Sequence, residues 1–258
     1  MLVKSTVIAI LVIVATNAPG WAGRPLIVDD VPPVPPGHLE IELGFSHALP
    51  REGGRDQQWP VATASFGVVD GLEVGLAIQR TNQDAPRTAP TKGFEDLHLT
   101  AKYNFLQEAA FVPALAASLD VKLPTANRSK GLSTGKTDET LLLIATKLLA
   151  PITVHANFGF TIVGKTGGAD LKNQLRGGIA GELPLIPSWT LVGEVTGLSR
   201  GSGAEPNQAD FQLGLRYALQ PTLVLDMAAG RSLRSSGTKV QATVGLTWTV
   251  DILGRSKR

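Results

Sequence analysis

Residues 239–250 read Lys-Val-Gln-Ala-Thr-Val-Gly-Leu-Thr-Trp-Thr-Val, and their alternation decides the fold class. Val240, Ala242, Val244, Leu246 and Trp248 fall on one side, while Lys239, Gln241, Thr243, Gly245 and Thr247 fall on the other. A period of two marks a strand with one apolar face and one polar face. Residues 38–47 repeat it, with Leu39, Ile41, Leu43 and Phe45 against Glu40, Glu42, Gly44 and Ser46. Residues 95–105 set Leu97, Leu99, Ala101, Tyr103 and Phe105 against Asp96, His98, Thr100, Lys102 and Asn104. Further strands are expected at about 61–68, 72–80, 111–123, 139–148, 152–163, 174–183, 189–198, 209–218 and 222–231, twelve in all. Within 139–148 the run Leu141-Leu142-Leu143-Ile144 is apolar on both faces, so alternation says least about its register.

The connections alternate as strictly as the strands. Short turns lie at about 69–71, 106–110, 149–151, 184–188 and 219–221; longer, polar, Gly- and Pro-rich loops lie at about 48–60, 81–94, 124–138, 164–173, 199–208 and 232–238. Short turns at one end and long loops at the other are the habit of an antiparallel up-and-down β-barrel that spans an outer membrane. An even number of strands puts both termini at the short-turn, periplasmic end. Aromatic residues sort the same way. Phe66, Tyr103, Phe105, Phe111, Trp189, Tyr217 and Trp248 fall near the short-turn ends, and Phe45, Trp59, Phe94, Phe160 and Phe211 near the other rim. Rings with an apolar body and a polar tip favour the two membrane interfaces. A soluble β-sandwich is the competing all-β reading, and it implies no such sorting.

Ahead of the strands, Lys4 precedes an apolar run from Val7 to Ala15, and Gly20 and Ala22 supply small residues for cleavage before Gly23. Nine apolar residues make about 14 Å of helix, half of a ~30 Å hydrocarbon core, so residues 1–22 read as a signal peptide rather than an anchor. Residues 23–37 form a Pro-rich segment, with Val31-Pro32-Pro33-Val34-Pro35-Pro36 extended and poor in donors; it lies in the periplasm or enters the lumen as a plug. The barrel then occupies 38–250 and a basic tail 251–258. Absence of Cys among the 258 residues excludes disulfides, thiolate metal sites and a Cys nucleophile. A net charge of +2, from 24 Lys and Arg against 22 Asp and Glu, is far from the basic excess of a nucleic-acid binder.

Several stretches carry a resemblance. They are Arg24-Pro25-Leu26-Ile27-Val28-Asp29-Asp30, Pro36-Gly37-His38-Leu39-Glu40-Ile41-Glu42, Phe66-Gly67-Val68-Val69-Asp70-Gly71-Leu72-Glu73-Val74-Gly75 and Lys122-Leu123-Pro124-Thr125. Gly214-Leu215-Arg216-Tyr217 and Val244-Gly245-Leu246-Thr247-Trp248 extend it towards the C-terminus. With these the chain resembles the outer-membrane transporter family named from the meta-cleavage pathway of phenol degradation. The resemblance implies an outer-membrane barrel with a part in uptake of small, often aromatic or apolar, molecules. Barrel proteins usually end on an aromatic residue read by the outer-membrane assembly machinery, whereas here Trp248 is followed by residues 251–258.

With the apolar face towards lipid, the polar face brings Glu42, Glu73, Asp96, His98, Lys102, Asp120, Lys122, His155, Glu194, Arg216 and Asp226 into the lumen. Glu40, Glu182, Asp210 and Arg176 join them, and Lys147 is read as inward too. Charges on the lipid face would cost several kcal/mol, so inward placement is forced whatever their role. If Lys147 points inward, Leu141 and Leu143 line the lumen beside Ala114 and Ala116, an apolar strip that either guides cargo or receives a plug. Twelve strands tilted ~40° give a backbone radius of about 12 Å and, after side chains, a passage of roughly 12 Å. That suits passive uptake of a small solute. The rival is a structural or adhesive barrel with a blocked lumen. No cofactor or metal site is expected. An enzyme is not expected either: His155 and Asn157 share a face, but no Ser sits where it would complete a nucleophile and base. The partners expected are outer-membrane lipid and lipopolysaccharide, whose phosphates suit loop cations such as Arg51, Arg200 and Arg234.

Overall fold

The computed structural model describes residues 23–86, 89–167, 170–203 and 206–254. The signal peptide expected at 1–22 and the end of the basic tail, 255–258, lie outside the described residues. Strands run β1 His38–Pro50, β2 Arg55–Val69, β3 Leu72–Asp84, β4 Thr91–Phe94, β5 Leu97–Leu106, β6 Ala114–Leu123, β7 Asp138–Leu149, β8 Ile152–Ile162, β9 Gln174–Ile186, β10 Trp189–Leu198, β11 Gln208–Gln220, β12 Leu223–Ser232 and β13 Thr238–Asp251. β4 and β5 pair with the same neighbour, at Arg80–Gln83 and at Leu72–Ala77 of β3. They are two halves of one stave, interrupted at Glu95-Asp96, so the wall has twelve staves. Each stave is antiparallel to the next, and β1 pairs with β13 as well as with β2, which closes the sheet. The chain is a closed, twelve-stranded, antiparallel transmembrane β-barrel. Among the described residues no helix is long and apolar enough to cross a membrane.

Side chains sort by parity. On β13, Val240, Val244 and Trp248 are exposed on the outer face, while Thr247 and Thr249 are buried inside. On β8, Phe158, Phe160 and Ile162 point out and His155, Asn157 and Thr161 point in. Trp189 and Tyr217 face each other across the β10–β11 ladder with ring centroids 4.8 Å apart. Trp59, Phe94 and Phe211 are exposed at the opposite rim.

At the long-loop rim the strands outrun the alternation. The loop expected over 48–60 shrinks to the four residues between Pro50 and Arg55, because Gln57 and Gln58 pair with His47 and Ser46. Above the membrane both faces of a strand meet water, so hydropathy no longer marks where the strand ends. Trp59-Pro60 bulges where the registers with β1 and β3 both shift, since Pro60 has no N–H to give a ladder.

β7 departs from expectation in register. Leu141 and Leu143 are 61% and 48% exposed on the outer face, and Leu142, Ile144 and Thr146 line the inside. The apolar strip therefore holds Ala114 and Ala116 but neither Leu141 nor Leu143. Lys147 misled the reading. Its ammonium reaches the short-turn rim, where it donates to the carbonyls of Ala109 and Ala110 and sits 2.9 Å from Glu108. A lysine two residues from a strand end can snorkel to the rim from either face, so it does not report register. The Lys147 ammonium, through a hydrogen bond and its charge, holds the Glu108 carboxyl below its ordinary range.

An arginine at Leu143, opposite Phe158 near mid-stave, should destabilise the barrel by roughly 2–4 kcal/mol. Reversible denaturant unfolding in lipid vesicles reads this; a cost near zero would return Leu143 to the lumen.

Candidate functional site in the barrel lumen

Residues 23–37 run inside the wall and meet its staves in descending order. The Arg24 guanidinium lies 3.3 Å from Asp226 on β12 and donates to Thr243 on β13 at 2.8 Å. The backbone N–H groups of Ile27 and Val28 donate to Glu194 on β10 at 2.9 and 2.8 Å. Asn157 on β8 clasps the backbone of Asp29, accepting from its N–H at 2.7 Å and donating to its carbonyl at 2.8 Å. Val31 N–H donates to Thr146 on β7, and its side chain packs on Ala114, Ala116 and Ile144. Val34 N–H donates to Glu73 on β3 at 2.6 Å, and Pro36 bridges Gly67 on β2. The segment is thus a hoop laid round the lumen.

Length agrees with that path. The 15 residues span about 50 Å when extended, and a track about 5 Å inside a wall of radius about 12 Å measures about 44 Å. Prolines suit such a path because they hold an extended backbone and leave few N–H groups to satisfy. The wall is cut back to receive it. Gly44 and Gly245, directly paired on β1 and β13, leave room for the Arg24 guanidinium. A Cβ at Gly67 would collide with the carbonyls of Val34 and Pro35, which are backbone and cannot swing away.

The polar residues expected in the lumen divide by what they hold. Glu42, Glu73, Lys102, Glu194, Arg216 and Asp226 all contact the hoop. Lys102, only 7% exposed in its side chain, sits 3.3, 3.6 and 3.4 Å from Asp29, Asp30 and Glu73. Arg216 donates to the carbonyl oxygens of Arg24 and Gly23 and pairs with Glu182. His155 is buried between Thr146, 2.9 Å from its Nδ1, and Glu182, 3.4 Å from its Nε2. Asp96 and Lys122 lie at the long-loop mouth instead. Asp96 accepts from Ala126 N–H and Ser133 Oγ, while Lys122 bridges Asp96 and Asp138, which draws in the loop between β6 and β7. His98 and Asp120, 2.8 Å apart, face the lumen half-exposed.

Sequence reasoning missed Asn157, Thr146 and Gln212 as anchors of the hoop, and Gly44, Gly67, Gly178 and Gly245 as its seats. A signal was present for the glycines. They fall at polar-face positions, where a barrel open to water gains nothing from losing a side chain. Between the hoop and the wall, formed by β1 to β7 with Arg176 of β9, a cavity of about 380 Å³ remains, bordered among others by Ile27, Glu40, Thr100, Asp120, Thr140 and Leu142.

Lys102→Met should leave Asp29, Asp30 and Glu73 without their cation and weaken hoop docking by about 3–5 kcal/mol. Hydrogen exchange at Val31 and Val34 reads the change; protection equal to that of the parent would remove Lys102 as the anchor.

Solved outer-membrane barrels share the fold, as superposition on three of them shows. The crystal structure of an outer-membrane channel from Pseudomonas putida F1 superposes with a TM-score of 0.68 at 15% identity, covering 86% of this chain and 98% of that one. The NanC porin gives 0.55 at 8% identity, covering 81% and 98%, and the KdgM porin gives 0.52 at 12% identity, covering 80% and 98%. No curated protein sequence matches the chain. A family model does, over residues 16–250, and on that match the chain belongs to the family described as putative MetA-pathway of phenol degradation.

Proposed function

We propose that this protein is an outer-membrane channel for passive uptake of small molecules, with the short turns and both termini in the periplasm and the hoop setting its bore. The observation that carries the reading is the cavity of about 380 Å³ left inside a closed wall, bordered by polar groups and by the apolar side chains of Ile27 and Leu142. A space of that size favours single-ring or short aliphatic solutes over oligomers. The fold it shares with outer-membrane channels and porins supports the same reading. Long-loop cations such as Arg51, Arg200 and Arg234 then face lipopolysaccharide phosphates. Engagement of His155 by Thr146, and of Asn157 by the Asp29 backbone, supports a non-enzymatic role.

A structural or adhesive barrel with a blocked lumen is the second reading, and the density of hoop anchors favours it. Planar-bilayer conductance separates the two. The parent protein should conduct steadily, and Gly67→Val, which unseats the hoop at Pro35, should conduct several-fold more. A silent parent beside a conducting variant would establish the blocked barrel.

A further inference from the structure

Beside the central cavity lies a side chamber of about 220 Å³ against β8 to β11, and Ile27, Val28, Leu142 and Arg176 border both spaces. Ile27 is 66% exposed although it lies within the barrel, so its side chain is apolar surface presented to the chamber rather than packed away.

Register arranges the chamber wall in two rows. One row is Arg176–Leu198–Gln208; the next, one step nearer the short turns, is Asn157–Gly178–Thr196–Asp210. Gly178 carries no side chain because Val28 presses on it, which makes Val28 the floor at that point. Arg176 and Asp210 stand two strands apart and one row apart, about 10 Å across the ladder and about 7 Å along it. They enter the chamber from opposite corners of an apolar floor.

Arg176 differs from four other lumenal cations. Arg24, Lys102, Lys122 and Arg216 each have a carboxylate within ion-pair distance. Among the described residues Arg176 has none, and it is exposed where the two cavities meet. Most other lumenal carboxylates are engaged elsewhere, Asp29, Asp30 and Glu73 by Lys102, Glu42 by the Arg24 N–H, Glu40 by the Thr249 hydroxyl and Asp120 by His98, which leaves Asp210 as the carboxylate of the chamber itself. A free guanidinium beside apolar surface is an arrangement that holds a carboxylate on an apolar body. The chamber is smaller than the ~300 Å³ at which drug-sized pockets begin, so its ligand has one ring.

We propose that this side chamber binds small monoaromatic hydroxy acids, the carboxylate paired with Arg176 and the hydroxyl donating to Asp210. The inference rests on the channel reading above and narrows its cargo.

Isothermal titration of the refolded mature chain in detergent, with 4-hydroxybenzoate, benzoate and phenol as probes, tests it without requiring transport. The parent should bind 4-hydroxybenzoate most tightly. Arg176→Gln should weaken both acids about tenfold or more and leave phenol unchanged. Asp210→Ala, which removes the acceptor for the hydroxyl, should abolish the advantage of 4-hydroxybenzoate over benzoate. Ile27→Trp, which fills the chamber from the hoop and changes no wall residue, should remove binding of all three. Heat-modifiable electrophoretic mobility confirms that each variant is folded. A parent that binds no acid, or a folded Arg176→Gln protein that binds both acids like the parent, overturns the proposal. Conductance judges the other reading separately. A conducting protein that binds no acid overturns only the chamber, and a silent protein that binds acids in this order overturns only the channel.

Discussion

A sheet within a hydrocarbon layer has no water to satisfy an unpaired edge, so the ladder of β1 with β13, from His38↔Asp251 to Pro50↔Thr238, is the interaction on which the rest stands. It consumes the edges that β1 and β13 would otherwise present. Closure also obliges alternate residues of every stave to face inward, and that is how Glu42, Lys102, Glu194, Arg216 and Asp226 come to share one interior. Within a wall of apolar outer residues such as Leu143, Phe158 and Val244, the inner face is the only place these charges can be solvated or paired.

The hoop answers that requirement. Buried charges are costly unless partnered, and residues 23–37 bring the partners from the chain's own N-terminus. Arg24 goes to Asp226, the Ile27 and Val28 amides go to Glu194, and Asp29 and Asp30 go to Lys102. Because the hoop follows the wall instead of filling the axis, it leaves space beside itself. That space is where Arg176, His98 and Asp120 stay accessible. The same contacts that order the lumen therefore set what can enter it.

How far the sequence could be read depended on how many phases each residue touches. Staves such as β1, β10 and β13 were legible because lipid and lumen pull hydropathy in opposite directions at every step. Residues 57 and 58 of β2 were not, because above the membrane both faces are wet. β7 was ambiguous for a third reason: its inner face packs on Val31, so Leu142 and Ile144 are as apolar as Leu141 and Leu143 outside. Lumenal polar residues could be named as a class from parity alone. Their division into hoop anchors, loop anchors at Asp96 and Lys122, and open groups at His98, Asp120 and Arg176 could not, since each partner lies far along the chain.

By itself the sequence determined the barrel, the number of staves and, Lys147 apart, which charged residues face inward, because strand alternation is a local property written residue by residue. Where residues 23–37 go was decided only by the tertiary structure. A Pro-rich segment has the same local conformation in water as in a lumen. It takes the path round the wall because Gly44, Gly67, Gly178 and Gly245 on separate staves leave it room and because Glu194, Asn157 and Lys102, from three other staves, complete its hydrogen bonds and charges. Those groups converge only once the sheet has closed.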